Sequence, residues 1–246
     1  MKGIVLAGGN GTRLMPLTAV TNKSLLPVYD RPMIDYPLQL MRDAGIDEAL
    51  IITGGRSCGD MMRVLGNGSR LGFKNLYFTV QEEALGISHA LSLAEAFAAN
   101  EKVFVVLGDN LVFGSNVAQA VDRFRRQSDG ACVFLKTVPD PERFGIAELS
   151  DQRVVSLVEK PQHAKSNWAV TGLYLFDGSV FDRIRQLKPS ARGELEVTDL
   201  NRLYLDDGKL TYELLHGDWI DAGTVESLAY ASDLARTYAT PQVLAA

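Results

Sequence analysis

Lys2-Gly3-Ile4-Val5-Leu6-Ala7 runs straight into Gly8-Gly9-Asn10-Gly11-Thr12-Arg13-Leu14, an apolar strand that stops at a cluster of glycines. Glycines at the carboxyl end of a strand let backbone amides come close to a phosphate or a base. The loop matches neither common nucleotide motif. A dinucleotide fingerprint needs a third glycine where Leu14 stands, and a P-loop ends in Gly-Lys-Ser/Thr rather than Gly11-Thr12-Arg13. Kinase and ATPase chemistry of the P-loop type is thereby excluded. Arg13, inside such a loop, is poised to hold phosphate bidentately.

Outward from this stretch, short apolar and β-branched runs alternate with helical ones. Strands are expected at 2–7, 49–53, 76–80, 102–107, 131–138, 154–160, 170–176 and 210–215. Helices are expected at 33–44, 87–98, 117–126, 180–186, 197–206 and 225–236, with Gly45 stopping the first and Leu91, Ala94, Phe97 and Ala98 striping the second. Alternation through the first half argues for a parallel sheet covered on both faces. In the second half Asp151-Gln152, Pro161 and Asp177-Gly178 interrupt the pattern, and antiparallel additions to the same sheet are expected there. The chain shows no internal repeat and no linker, so one domain over residues 1–240 is expected, with 241–246 a fraying tail.

Composition narrows the chemistry. The 246 residues carry 25 Lys and Arg against 30 Asp and Glu, a net charge of −5, and a mean hydropathy of +0.01. Nothing in that balance suits nucleic acid or an anionic membrane, so a bound phosphate must be held by a local site. Cys58 and Cys132 form no CxxC pair, which argues against a disulfide framework or a zinc-thiolate site. The apolar run at 4–7 is too short for a signal-peptide core, and a cytoplasmic protein is expected. His89, His163 and His216 lack metal-ligand spacing and read as surface or packing residues.

Ten residues past Arg13 stands Lys23, in Asn22-Lys23-Ser24-Leu25-Leu26-Pro27. Taken alone it is a solvated lysine; paired with Arg13 beside the first strand, it reads as a second phosphate-neutralising cation. Asp109 ends an apolar strand, where ligands bind in open α/β sheets, although an Asp-Asn turn would look the same. Asp221, before Gly223, could equally cap the helix expected at 225. Together the two carboxylates can hold Mg²⁺, with waters and phosphate oxygens completing its shell. Gln81 follows a strand, and its amide can read a pyrimidine edge.

The glycine loop through Met15-Pro16-Leu17-Thr18, with Lys23-Ser24-Leu25-Leu26-Pro27, resembles the signature of the sugar-1-phosphate nucleotidylyltransferases. The resemblance continues in order through Leu107-Gly108-Asp109-Asn110, Pro141-Glu142-Arg143-Phe144-Gly145, Glu159-Lys160-Pro161, Val170-Thr171-Gly172-Leu173-Tyr174, Ala191-Arg192-Gly193-Glu194-Leu195-Glu196 and Trp219-Ile220-Asp221-Ala222-Gly223. It is closest to the short members that join dTTP and glucose-1-phosphate. The resemblance implies a Rossmann-like, three-layer α/β/α fold with a mixed, mostly parallel central sheet. It also implies that a sugar-phosphate oxygen attacks the α-phosphorus of the triphosphate, yielding dTDP-glucose for deoxysugar synthesis, with pyrophosphate leaving and Mg²⁺ as cofactor.

The same resemblance assigns roles. Arg13, Lys23 and Lys160 would be catalytic; Leu6, Gly8, Gly9, Gly11, Thr12, Arg13, Gln81, Gly86 and Asp109 would bind the nucleotide. Asn110, Gly145, Glu159, Lys160, Val170 and Arg192 would bind the sugar phosphate, and Asp109 and Asp221 the metal. The nucleotide subsite would occupy about residues 1–115 and the sugar-phosphate subsite about 116–240, in a homo-oligomer (a dimer or tetramer) with no nucleic-acid or membrane partner.

Departures from the family pattern cluster beside base and sugar. Glu82-Glu83-Ala84-Leu85 replaces a proline-bearing stretch, Ile87-Ser88-His89-Ala90 stands for Leu-Ala-Gln-Ala, and Phe144 takes the place of a common tyrosine. They leave open the same reaction with UTP or with another sugar-1-phosphate. Longer relatives continue past the position of Ala246 into a segment that builds subunit contacts and a feedback site. A nucleotide-sugar glycosyltransferase would offer Asp-x-Asp where this chain has Asp109-Asn110-Leu111, and a non-catalytic sensor would have lost some of Arg13, Lys23, Asp109, Lys160 and Asp221.

Overall fold

The structure, a computed structural model, describes residues 1–239. The expected tail at 241–246 lies outside the described residues. Strand β1 (Lys2–Ala7) is followed by a two-residue hairpin, β2 (Pro27–Val28) and β3 (Arg31–Pro32), and by helix α1 (Asp35–Asp43). Next come β4 (Glu48–Gly54), α2 (Cys58–Leu65), β5 (Asn75–Gln81), α3 (Ile87–Ser92), α4 (Glu95–Ala98), β6 (Val103–Leu107), β7 (Asn110–Phe113) and α5 (Val117–Arg126). The second half holds β8 (Ala131–Thr137), β9 (Gly145–Ser150), β10 (Arg153–Glu159), β11 (Trp168–Phe176), α6 (Val180–Ile184), α7 (Val197–Asp206), β12 (Leu210–Leu214), β13 (Asp218–Asp221) and α8 (Val225–Tyr238).

Among the described residues, nine strands form one sheet in the order β10-β9-β11-β6-β1-β4-β5, with β8 also paired to β11 and β12 added outside β8. Following the pairings from strand to strand, seven of the nine point one way, and only β10 and β11 oppose them. The sheet is thus mixed and mostly parallel. Its antiparallel contacts fall where the turn residues of the second half interrupt the strand–helix alternation.

Strand periodicity builds the two helical layers. Val5, Ala7, Phe104, Val106 and Leu175 face one way and pack on Leu38 and Met41 of α1, Met61 of α2, and Val121 and Phe124 of α5. Their neighbours Ile4, Leu6, Val103, Val105 and Phe176 face the other, against Leu91 of α3, Phe181 of α6, and Leu200 and Tyr204 of α7. Each fully buried large side chain is worth about 1.5–3 kcal/mol, so this two-sided burial holds the sheet between its helices. A third cluster joins β7, β13 and α8 through Leu111, Phe113, Ile220, Leu228 and Ala231.

Some expectations are amended. The helix expected over 87–98 is two, because Leu93 and Ala94 turn back onto the carbonyls of Ala90 and Leu91 in a tighter i→i+3 turn. The first helix starts at Asp35: Pro37 has no N–H to give the Met33 carbonyl, which instead accepts from Tyr36 N–H at 3.2 Å, and the first i→i−4 bond runs from Leu38 N–H to the Ile34 carbonyl at 3.3 Å. Helix α2 and strands β2, β3, β7, β9 and β13 were not expected. Cys58 and Cys132 are free thiols, as expected.

Candidate active site

Parallel strands bring the first chemistry together. β1 and β6 pair in register from Lys2–Val103 to Leu6–Leu107, and Gly108 N–H continues the ladder onto the Leu6 carbonyl at 2.9 Å. The loop at 8–13 and Asp109 therefore leave the sheet side by side. Lys23 arrives from a short turn that Asn22 pins to the end of β1. Asn22 Nδ2 donates to the Ala7 carbonyl and its Oδ1 accepts from Ser24 N–H, both at 2.8 Å. Gly108 allows this approach: a Cβ there would stand 2.8 Å from Ser24 Oγ and 3.2 Å from Ala7 Cβ.

Lys23 Nζ donates to Asp109 Oδ2 in a close ion pair, and both side chains are largely buried. Asn110 Nδ2 donates to the other Asp109 oxygen at 3.2 Å. Burial works against the charge on Asp109, but the Lys23 ammonium, its hydrogen bond and that of Asn110 hold the carboxyl below its usual range. Burial likewise disfavours charge on Lys23, and Asp109 reverses this, raising its pKa.

Asp221 reaches the same place on the antiparallel ribbon β7–β13, where it pairs with Asn110, and Ala222 N–H donates to the Asp109 carbonyl at 2.9 Å. Its Oδ1 is buried without a hydrogen-bond partner. Burial, and then repulsion from Asp109, push its pKa up to about 6, against the opposing pull of Lys23, Arg13 and Arg143. A Cβ on Gly223 would stand 2.8 Å from Asp221 Oδ1 and 3.0 Å from an Arg13 guanidinium nitrogen, so both groups share that flank. Arg13 is exposed and forms no ion pair among the described residues.

An orphaned buried carboxylate oxygen beside a second carboxylate is the donor set of a hard cation that takes its remaining ligands from water and phosphate. Among the described residues no group of three or more His, Cys, Asp or Glu could hold a metal, so the fit rests on these two carboxylates.

The second cluster sits where β9, β10 and β11 meet. Gly145 pairs with Glu159 on one side and Val170 on the other. Glu159 Oε2 accepts from Thr198 Oγ1 at 2.6 Å, and Glu159 Oε1 lies 3.4 Å from Lys160 Nζ. Lys160 takes a left-handed φ of +42°, a conformation that costs a non-glycine residue energy and that often marks a functional site. Arg192 is engaged by carboxylates: three contacts to Glu196 at 2.8, 2.9 and 3.2 Å, with Glu159 at 3.5 Å and Glu194 at 3.7 Å. Phe144 stacks obliquely on Trp219 with ring centres 5.4 Å apart, linking this cluster to the first.

On the other flank a cleft of about 720 Å³ is lined by Gly8, Gly9, Gly54, Arg56, Asp60 and Gln81, among others. Gly9 abuts Lys23, and Gly11 takes φ +62° with Thr18 packed against it. Thr12 is exposed at the loop's end. Gly86, at φ +102°, lies so close to Leu195 that a Cβ would come 2.6 Å from its carbonyl oxygen. A larger concavity of about 1140 Å³ along β12 contains Arg123, Arg153 and Glu213 but none of the residues above.

Most sequence-derived candidates thus fall into two neighbouring clusters. Leu6 differs, since its side chain is only 8% exposed and packs in the core, leaving only its backbone at the strand end. Asn110, expected on the sugar phosphate, is 3% exposed and bonded to Trp219, Gly172 and Asp109. His89 is no bystander: its Nδ1 lies 3.0 Å from Gln81 Nε2. Thr198, which holds Glu159, carried no signal in the sequence beyond its place near the Arg192 segment, and Glu196, which holds Arg192, ends the Ala191–Glu196 stretch of the resemblance without a role assigned to it.

Residues 2–237 match the model of the nucleotidyl transferase family. A glucose-1-phosphate thymidylyltransferase of Neisseria meningitidis serogroup A is 47% identical over 240 residues, 96% of this chain and 83% of that one. A Bacillus anthracis crystal structure, of a candidate glucose-1-phosphate thymidylyltransferase with a sucrose, superposes with a TM-score of 0.93. It is 47% identical, with 98% of this chain and 97% of that chain covered. A UDP-glucose pyrophosphorylase complexed with UDP-glucose gives a TM-score of 0.85 at 25% identity, covering 96% of this chain and 98% of that one.

Proposed function

The chain belongs to the nucleotidyl transferase family, and we propose that it transfers a thymidylyl group from dTTP to glucose-1-phosphate, giving dTDP-glucose and pyrophosphate. An oxygen of the sugar phosphate forms a bond to the α-phosphorus while the bond from that phosphorus to the β-phosphate bridge breaks. The electron pair leaves with pyrophosphate. Both reactants are polyanions, so positioning and charge neutralisation do the catalysis, and no protein nucleophile is needed. The observation that carries the reading is the partnerless Oδ1 of Asp221, beside Asp109 and sharing a flank with Arg13.

In this reading the backbone at Gly8, Gly9, Gly11 and Thr12, with Gly86 and Gln81, receives the nucleotide. Arg13 neutralises the departing pyrophosphate. Lys23, oriented by its bond to Asp109, bears on the α-phosphate. Glu159 takes sugar hydroxyls beside Gly145 and Val170, and Lys160 takes the sugar phosphate; Arg192 assists once it leaves Glu196. Asp109 and Asp221 would hold Mg²⁺, which would supply charge neutralisation for the phosphoryl chemistry. The nucleotide side spans about residues 1–115 and the sugar-phosphate side about 116–240. The enzyme would act in the cytoplasm as a homo-oligomer, feeding deoxysugar synthesis; among the described residues no helix is long and apolar enough to cross a membrane.

The likeness to a UDP-glucose pyrophosphorylase keeps UTP as the second reading. The deciding assay is pyrophosphate release with Mg²⁺ over a grid of nucleoside triphosphates and sugar-1-phosphates. Release strongest with dTTP and glucose-1-phosphate is expected. Release confined to another pair would replace the substrates, and no release from the folded protein would overturn the reading.

A further inference from the structure

The side-chain amide of Gln81 is turned one way. Its Nε2 lies 3.3 Å from the Gly86 carbonyl oxygen, which can only accept, and 3.0 Å from His89 Nδ1. An amide nitrogen has two N–H bonds, and with Nδ1 accepting, both are spent on the protein. The Gly86 carbonyl is itself held in place. Its residue packs on Leu195, whose N–H donates to the Leu85 carbonyl at 2.8 Å and whose carbonyl accepts from Ser88 N–H at 3.1 Å. The other end of the amide, Oε1, accepts from no group among the described residues and points past Gly8, where an added Cβ would stand 2.8 Å from it. Gly8 and Gln81 both line the cleft beside the glycine loop. Gln81 therefore presents that cleft with an acceptor and no donor.

We propose that His89 is a positioning residue that fixes Gln81 as an acceptor-only reader of the nucleobase, selecting thymine or uracil over cytosine. Thymine and uracil carry a ring N–H at the centre of their pairing edge. Cytosine carries a lone pair there, which would face the lone pairs of Oε1. Of the two anchors on Nε2, the contact to Gly86 is the longer, so His89 supplies the stronger hold on the amide's direction. A side chain at 89 that could only donate would turn the amide round and offer its N–H bonds to the cleft. The inference rests on the nucleotide-transfer reading above and specifies how its base is chosen.

The test measures kcat/KM for dTTP, UTP and dCTP with glucose-1-phosphate and Mg²⁺, using the full chain, His89→Leu, His89→Lys and His89→Gln. Binding of dTTP and dCTP to each is measured by calorimetry. The wild type should prefer dTTP and UTP to dCTP. His89→Leu should shrink the dTTP-to-dCTP ratio about tenfold, the worth of one hydrogen bond to a buried amide, with the change in KM rather than kcat. His89→Lys, a pure donor, should shrink it further, and serves if thermal melting shows that His89→Leu does not fold. His89→Gln, whose carbonyl can accept the same N–H, should restore the ratio. A ratio unmoved in both His89→Leu and His89→Lys, or not restored in His89→Gln, overturns the proposal. If the wild type turns over no nucleotide, the functional reading fails instead. The two binding constants then judge the amide alone, and an equal loss of both in His89→Leu overturns its role.

Discussion

The indole N–H of Trp219 donates to Asn110 Oδ1 at 2.7 Å. The same oxygen accepts from Gly172 N–H at 2.9 Å, and Asn110 Nδ2 reaches Asp109 at 3.2 Å. An indole on β13 thereby orients a carboxylate at the end of β6 through one amide. Trp219→Phe keeps the ring and removes the donor. We expect kcat to fall roughly fivefold and stability by about 1 kcal/mol, the net value of one such bond. Steady-state kinetics with a thermal melt check both, and an unchanged kcat would show that Asn110 holds Asp109 without help.

Asp109→Asn and Asp221→Asn should each lower turnover by about two orders of magnitude or more, because a bound metal supplies several kcal/mol to phosphoryl chemistry. Chelation of divalent cations should do the same to the wild type, reversibly. Near-normal turnover of either variant at saturating Mg²⁺ would remove that residue from the metal site.

Asp221 also ties stability to pH. Its folded pKa of about 6 lies above the ordinary 3.8, so the folded state binds this proton more tightly than the unfolded chain. Stability without metal should therefore fall as pH rises from about 4 through 6 and level off above. Asp221→Asn abolishes that term. In chelator, the variant should melt above the wild type at pH 8, and the two should converge near pH 4. A variant that melts lower at pH 8 contradicts the assignment.

Lys160 and Arg192 should separate in the sugar-phosphate KM. Lys160 has one carboxylate contact, at 3.4 Å, whereas Arg192 is already matched by Glu196, Glu159 and Glu194. Lys160→Ala should raise the KM for glucose-1-phosphate about tenfold or more, the loss of one charge-assisted bond. Arg192→Ala should raise it only about threefold, since part of its charge is already spent. The reverse ranking in initial-rate measurements would show that Arg192 leaves Glu196 at little cost.

The strands that build the sheet were legible because their apolar runs are buried on both faces: residues 2–7 form a strand with the expected bounds, and 102–107 differs by one residue. The elements that carry the site were harder to see. β7 and β13 are four residues each, hold Asn110, Asp218 and Asp221, and exist because they pair with each other. Helix α2 opens on Cys58-Gly59-Asp60, three poor helix formers, and is held by burial of Met61 and Leu65. The charged candidates could be found from type and neighbourhood. Their partners could not, since Thr198 meets Glu159 across 39 residues and Trp219 meets Asn110 across 109. Leu6 is the opposite case: strand periodicity already sends its side chain into the core.

Among the described residues β11 is the one strand that pairs with both β6 and β9, meeting β9 at Val170 and β6 from Leu173 onward. Between them lie Thr171 and Gly172, where the Asn110 amide takes the place of a neighbouring strand. Three residues of extended chain span at most about 10 Å. That segment is a ruler between the two clusters. Its length, rather than any loop, sets how far β9 and β10, the strands of the proposed sugar side, stand from the carboxylate at the end of β6. One inserted residue would open the gap by about 3.3 Å and turn every later side chain of the strand to the opposite face. This chain can therefore vary the walls of its clefts far more freely than the two residues between Val170 and Leu173.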